Sequence, residues 1–292
     1  LPYWLAPLIR TTLWCRQAEV SVWDEDDRQL IGDVAGKEVA LCRADGQLAL
    51  SSGETVGVLP LLQQAADLLE WPSTSPSRIC LRSLAEHRNG KSRSSAGSAI
   101  SVMPSNQSDW ARLAVLRTDW TSAAATIAVS HHESLPRLDV VIASEPLLQG
   151  AWDLELRIGE TWLQLADEWS CVCWESQPDA DYAELQMAGP GKLRVERMIL
   201  LSREDQFLML ADSISGAPAG HIRWRSCLPL ASDVTAALEP GSRAARLDSS
   251  RLKVRMLPLL LPVDTVDSSP HRCDLTKDSI WFEYHAERQG LC

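Results

Sequence analysis

Phenylalanine and tyrosine are scarce in this chain of 292 residues: two and three, against twelve tryptophans. A core with so little phenylalanine fills its wide gaps with aliphatics and indoles, and each buried indole N–H then needs a partner. Positive charge is also short. Lys and Arg total 28 against 39 Asp and Glu, for a formal charge of −11. That excludes a surface that tracks phosphates by charge, so no nucleic-acid partner is expected. Long apolar runs are missing. The longest, Met256 to Val263, is broken by prolines and falls far short of the ~20 residues a membrane helix needs, so no membrane partner is expected either. No leader pattern opens the chain at Leu1, and its start and its end at Cys292 read as those of a processed piece.

The common catalytic signatures are absent too. There is no GxSxG, HExxH, phosphate loop or GxGxxG. None of the eight cysteines forms a CxxC, and no histidine stands at zinc-finger spacing, so no metal site and no cofactor are expected. Cys171 and Cys173, two apart in "EWSCVCWES", share one face of a regular strand, a poor geometry for bonding each other, and read as reduced thiols. Asp179 and Asp181 could do acid–base work on a sugar, but their setting "QPDADYAE" favours a turn. The run Asp24–Asp27 lacks the alternate spacing of a calcium loop and reads as a solvated acidic turn.

What is present divides near residue 100. Residues 1–100 form a small mixed α+β segment. "EVSVWD", "KEVALCR" and "RICLRSL" look like short strands, and "RADGQL" supplies an Asp-Gly turn. Leu59–Trp71 is the one convincing helix, with Pro60 in its first turn and Pro72 beyond its end. The polar, basic stretch 88–98 reads as an exposed loop. From residue 101 to 292 short alternating segments follow one another, with turn residues between them. "AWDLELRI" is the clearest, with Trp152, Leu154, Leu156 and Ile158 on one face and Asp153, Glu155 and Arg157 on the other. Such a series predicts a mainly β chain closing as one large, stacked antiparallel β-sandwich, with most tryptophans packed between its sheets.

Sugar contact is the chemistry these residues suit best. Arg117 and Trp120 lie three apart around a turn, so a cation can meet a carboxylate while the indole meets a ring. Trp174 also has polar neighbours. His131 and His132 are weaker candidates, because adjacent strand residues point to opposite faces. His285 shares a face with Trp281 and Glu283 in "WFEYHAE", where a carboxylate can orient it. No residue is assigned a catalytic role.

"QSDWARLAVLRTDWT", followed by "ADYAELQM" and "RVERMILLSREDQFLMLADSISG", resembles the heparinase II/III-like group of polysaccharide lyases, their large bacterial members most of all. The resemblance covers residues 59–216. It implies that a helical toroid precedes the sheet domain, that residues 1–100 are the toroid's tail, and that an upstream helical domain is a partner. It also implies a periplasmic or extracellular protein acting on acidic polysaccharide by β-elimination, in which a base removes the proton beside a uronate carboxylate while a cation neutralises that carboxylate. The group's H-x-H-A-D segment is replaced here by "SEPLLQGAWDLELRIGETWL", which keeps the strand and its Gly159 turn and lacks the His and Asp. The family's zinc site and catalytic histidine are therefore not carried over, and the chain alone is expected to be catalytically incomplete. The alternative reading is a non-catalytic carbohydrate-binding or structural module.

Overall fold

The computed structural model describes residues 2–21, 23–51, 57–88, 103–163, 165, 168–259 and 271–288. Four helices come first: α1 (Pro2–Gln17), α2 (Glu25–Leu41), α3 (Leu59–Leu68) and α4 (Pro76–Arg88). The acidic run 24–27 caps α2. Asp24 Oδ1 accepts from the Asp27 N–H at 2.9 Å, and the Asp27 carboxylate accepts in return from the Asp24 N–H at 3.4 Å. This reciprocal box satisfies free donors and places the acids at the positive end of the helix.

Three expected strands are not strands. "KEVALCR" lies mostly in α2, "RICLRSL" lies in α4, and the described residues of "EVSVWD" form no strand. In α4 the buried residues Cys80, Leu81 and Leu84 recur at helical spacing. A short apolar run does not distinguish a strand from a buried helix, and here the helical face won. The basic stretch 88–98 lies outside the described residues apart from Arg88, the last residue of α4.

The remainder is β. β1 (Asn106–Ser108), β2 (Leu113–Arg117), β3 (Ala125–Ser130), β4 (Arg137–Ile142) and β5 (Glu145–Ala151) make a meander. β6 (Asp153–Ile158) and β7 (Thr161–Trp162) follow. Then come β8 (Ser170–Ser176), β9 (Ala180–Ala188), β10 (Arg194–Ser202) and β11 (Phe207–Ser215). The last group is β12 (Gly220–Pro229), β13 (Thr235–Leu238), β14 (Ala245–Asp248), β15 (Lys253–Met256), β16 (Arg272–Leu275) and β17 (Ser279–Arg288).

These strands do not close into one large sandwich. They divide among four antiparallel sheets, ordered β1-β2-β3-β4-β5, β11-β10-β9-β8, β16-β17-β12-β6-β7 and β13-β14-β15. The sheets are arranged as a four-blade, propeller-like ring. Alternation specifies which face of a strand is buried, not which strands share a sheet. Thus β6 bypasses the whole β8–β11 sheet to pair with β12, Leu156 opposite Trp224.

One apolar cluster joins the sheets, with Leu116 and Ile127 from the first, Leu185 and Ile199 from the second, Leu156 and Ile280 from the third, and Leu247 from the fourth. A second cluster lies under the helices, where Leu5, Leu62 and Leu84 meet Trp120. Each such fully buried side chain contributes about 1.5–3 kcal/mol. The indoles divide. Trp152 and Trp169 are core residues, whereas Trp110 is 96% and Trp162 53% exposed. A β-bulge at Val172 sets Cys171 opposite Leu185 and Cys173 opposite Glu184, so the two thiols fall on different faces of the sheet instead of sharing one. The seven cysteines described are unpaired.

Candidate functional site

The residues nominated for sugar contact do not assemble into one site. Arg117 and Trp120 do meet, with the guanidinium carbon 4.3 Å from the indole centroid. Both are buried beneath the helices. Arg117 Nη2 donates to the Ala40 carbonyl at 3.2 Å, and the Ser83 hydroxyl donates to the Trp120 carbonyl at 2.9 Å. Burial pulls the Arg117 pKa down to about 10, against the opposing pull of Cys42, Cys80 and Asp119. Trp120 also lines a cleft of 740 Å³ between the helical segment and the first sheet, facing Trp71, Lys37 and Arg28. Trp174, opposite Ala183 in β9, packs half-buried against the main core. Asp181 is buried and structural: it takes the Arg203 guanidinium at 2.6 Å and the hydroxyls of Ser105 and Ser176.

The two adjacent histidines point apart. His132 is exposed, its Nδ1 2.6 Å from Ser130 Oγ and its Nε2 3.2 Å from Glu133. His131 is buried, with Nδ1 3.2 Å from the Trp169 carbonyl, which requires the proton on Nδ1. Burial lowers the His131 pKa from 6.5 despite that bond. The unfolded chain therefore binds this proton more readily than the folded one. The contribution is fully present above pH ~6.5 and is lost as pH falls through the lower folded value. Urea midpoints measured from pH 8 to 5 should fall more steeply for the wild type than for His131→Gln; parallel curves would contradict this.

The outer face of the third sheet carries the densest set of chemically active groups. The alternation in "HIRWRSCL" and "WFEYHAE" puts His221, Arg223 and Arg225 on one face of β12, and Trp281, Glu283 and His285 on one face of β17. Pairing aligns them in two rows. The first runs Trp162, Arg157, Arg223, His285; the second runs Glu155, Arg225, Glu283, Arg272.

Glu283 is the hub. It accepts from Arg223 at 2.9 Å, lies 3.5 Å from Arg225 Nε, and lies 2.7 Å from His285 Nε2. Burial pushes its carboxyl up, but the bonds from Arg223 and His285 outweigh burial and hold it below the usual range. Arg225 bonds Glu155 at 2.9 Å and stacks on Trp281 at 4.4 Å, while Arg157 stands 5.8 Å from the exposed Trp162 indole. The result is an imidazole fixed by a carboxylate, flanked by guanidinium groups, the half-buried Trp281 and the exposed Trp162. The sequence shows the His285–Glu283 face but not the arginine rows, because those depend on which strands pair.

Among the described residues, no helix is long and apolar enough to cross a membrane, and no cluster of three or more His, Cys, Asp or Glu is placed to hold a metal ion. No protein-family model matches the sequence, and no curated protein does. Solved structures do match in fold. The heparan sulfate lyase HepC from Pedobacter heparinus aligns with 99% of this chain at a TM-score of 0.63 and 10% identity. A heparinase III with methylated lysines aligns with 99% at a TM-score of 0.64 and 10% identity. The chain spans 50% and 49% of those two structures, about half the length of each. At that identity the likeness is one of fold alone.

Proposed function

We propose that this chain is the sheet-bearing part of a heparinase II/III-like protein that engages an acidic polysaccharide, and that it is catalytically incomplete by itself. The observation that carries this reading is the alignment of nearly the whole chain with half of a heparan sulfate lyase. The third sheet's outer face supports it with the chemistry a uronate or sulfated sugar calls for. The Trp162 indole offers a stacking surface, and the guanidinium of Arg157 beside it, now paired with the exposed carboxylate of Glu160, can exchange that partner for an anionic group of the sugar. Of the residues nominated from sequence, His132 stands at the surface for direct contact. Trp120 serves in this reading as part of the wall of the 740 Å³ cleft, with the Arg117 guanidinium packed on its indole, and Trp174 supports the sheet from within.

Heparan sulfate immobilised on a column should retain the chain, and Trp162→Ala should release it at lower salt. The same polysaccharide in solution should yield no unsaturated product by ultraviolet absorbance. Absence of retention would overturn the polysaccharide reading, and clear turnover would overturn the incompleteness. The second reading, a binding module with no part in catalysis, is favoured by the exposed Trp162. The product of the complete reading frame separates the two, since only the lyase reading predicts the unsaturated product from it.

A further inference from the structure

We propose that His221 and His285 form a two-imidazole chelate for a divalent transition-metal ion on the outer face of the third sheet. The two residues come from adjacent antiparallel strands. His221 lies opposite Glu287, and His285 lies opposite Arg223, so the imidazoles are diagonal neighbours on one face. Their ring centroids are 5.2 Å apart with planes inclined at 51°, and His285 Nδ1 stands 3.3 Å from His221 Nε2. Two imidazole nitrogens bound to one tetrahedral ion, each about 2.0–2.1 Å from it, stand roughly 3.3–3.4 Å apart. The separation of the two nitrogens matches the edge of such a tetrahedron.

The surroundings prepare His285 for this role. Glu283 Oε1, 2.7 Å from His285 Nε2, fixes the ring proton there and leaves Nδ1 as an acceptor facing His221 Nε2 at 3.3 Å. Arg223 holds the Glu283 carboxylate at two points, Nε to Oε1 and Nη2 to Oε2, each at 2.9 Å. His221 supplies its Nε2 lone pair once its own proton sits on Nδ1. Two nitrogen-to-metal bonds then form and two waters leave the hydrated ion, with no change in oxidation state.

Among the described residues no cluster of three or more His, Cys, Asp or Glu is placed to hold an ion, so the proposal assigns two positions to the described residues, the imidazoles of His221 and His285. Imidazole donors select Cu²⁺, Ni²⁺ and Zn²⁺ over Mg²⁺ and Ca²⁺. This chelate does not depend on the polysaccharide reading.

Calorimetric titration of the chain with Ni²⁺, and separately with Zn²⁺, tests it in the absence of any saccharide. One ion should bind per chain. Affinity should fall by about tenfold or more in His221→Ala and in His285→Ala, and by about tenfold in Glu283→Gln, which leaves both ligands in place. Mg²⁺ should give no saturable heat. His221 is exposed, so His221→Ala is expected to fold, and its melting curve without metal checks this. No saturable Ni²⁺ or Zn²⁺ binding, or undiminished binding in His221→Ala, would overturn the chelate. Heparan sulfate retention by His221→Ala, read separately, belongs to the polysaccharide reading alone.

Discussion

Replacing Asp139 by alanine should remove about 3–5 kcal/mol of stability, the loss typical of breaking a buried ion pair from one side. Asp139 and Arg43 are both buried, with Arg43 Nη1 3.2 Å from Asp139 Oδ2. The same oxygen accepts the Leu50 N–H at 2.8 Å. Burial holds the Asp139 carboxyl above its usual range, despite the Leu50 bond and the Arg43 charge. Arg43 is further fixed by Asp45 at 2.7 Å and Gln47 at 3.1 Å. This cluster ties the turn after α2 to β4, an inner strand of the first sheet, so its loss leaves Arg43 Nη1 and the Leu50 N–H without their acceptor where the helical segment meets the sheets, with Asp45 and Gln47 still on the rest of the guanidinium. A urea midpoint that falls with the slope unchanged would report it. The double variant Arg43→Met, Asp139→Leu should recover part of the loss, because the two buried charges go together and only the half-buried Asp45, still held by the Gln47 N–H, loses its cation. A single-variant loss below about 1 kcal/mol would show that the pair does not hold this junction.

Arg197→Ala should lose about as much, about 3–5 kcal/mol, and should also change the tryptophan emission of the folded protein. Arg197 is buried in β10 and lies under two indoles, 4.4 Å from the ring centroid of Trp152 and 5.1 Å from that of Trp169. Its Nε donates to Asp212 at 3.0 Å, its Nη2 to the Asp153 carbonyl at 3.0 Å, and its Nη1 to the Trp152 carbonyl. One side chain thereby joins the second sheet to the start of β6 in the third, beside a cavity of 420 Å³. Truncation leaves Asp212 nearly buried without its partner and two backbone carbonyls without donors. Arg197→Lys should fall between, since an ammonium keeps the charge and loses the planar fork that serves three acceptors. Chemical unfolding followed by tryptophan fluorescence measures both effects. Wild-type stability and emission in Arg197→Ala would remove this residue from its role.

Local pattern carried the sequence reading a long way in the β region and less far before it. "AWDLELRI", "DYAELQM" and "SIWFEYH" all form strands with the expected faces, because a strand half-buried on one side must alternate. The Asp-Gly turn in "RADGQL" is present, with Gly46 at φ 80°, a conformation glycine adopts without strain. Helices α2 and α4 were missed because their apolar runs are short and interrupted, and α1 shows no sharply one-sided apolar face. Arg117 and Trp120, nominated from sequence for sugar contact, instead meet each other at 4.3 Å in the interior. Their burial depends on helices that cover them from 32 or more residues earlier in the chain, which no local window contains.

By itself the amino-acid sequence determined a mainly β chain, the inward face of most strands, and the shared face of His285 and Glu283. All of these follow from side-chain period along a single strand. Only the tertiary structure decided that four separate sheets replace one sandwich, that Arg197 and not a phenylalanine fills the space between two indoles, and that His221 comes to His285. Those outcomes rest on pairing between segments as much as 74 residues apart, as with Asp153 and Cys227. Backbone hydrogen bonds between strands are much alike whichever strands pair. The choice of partner is therefore made by packing across the whole core, which local alternation does not encode.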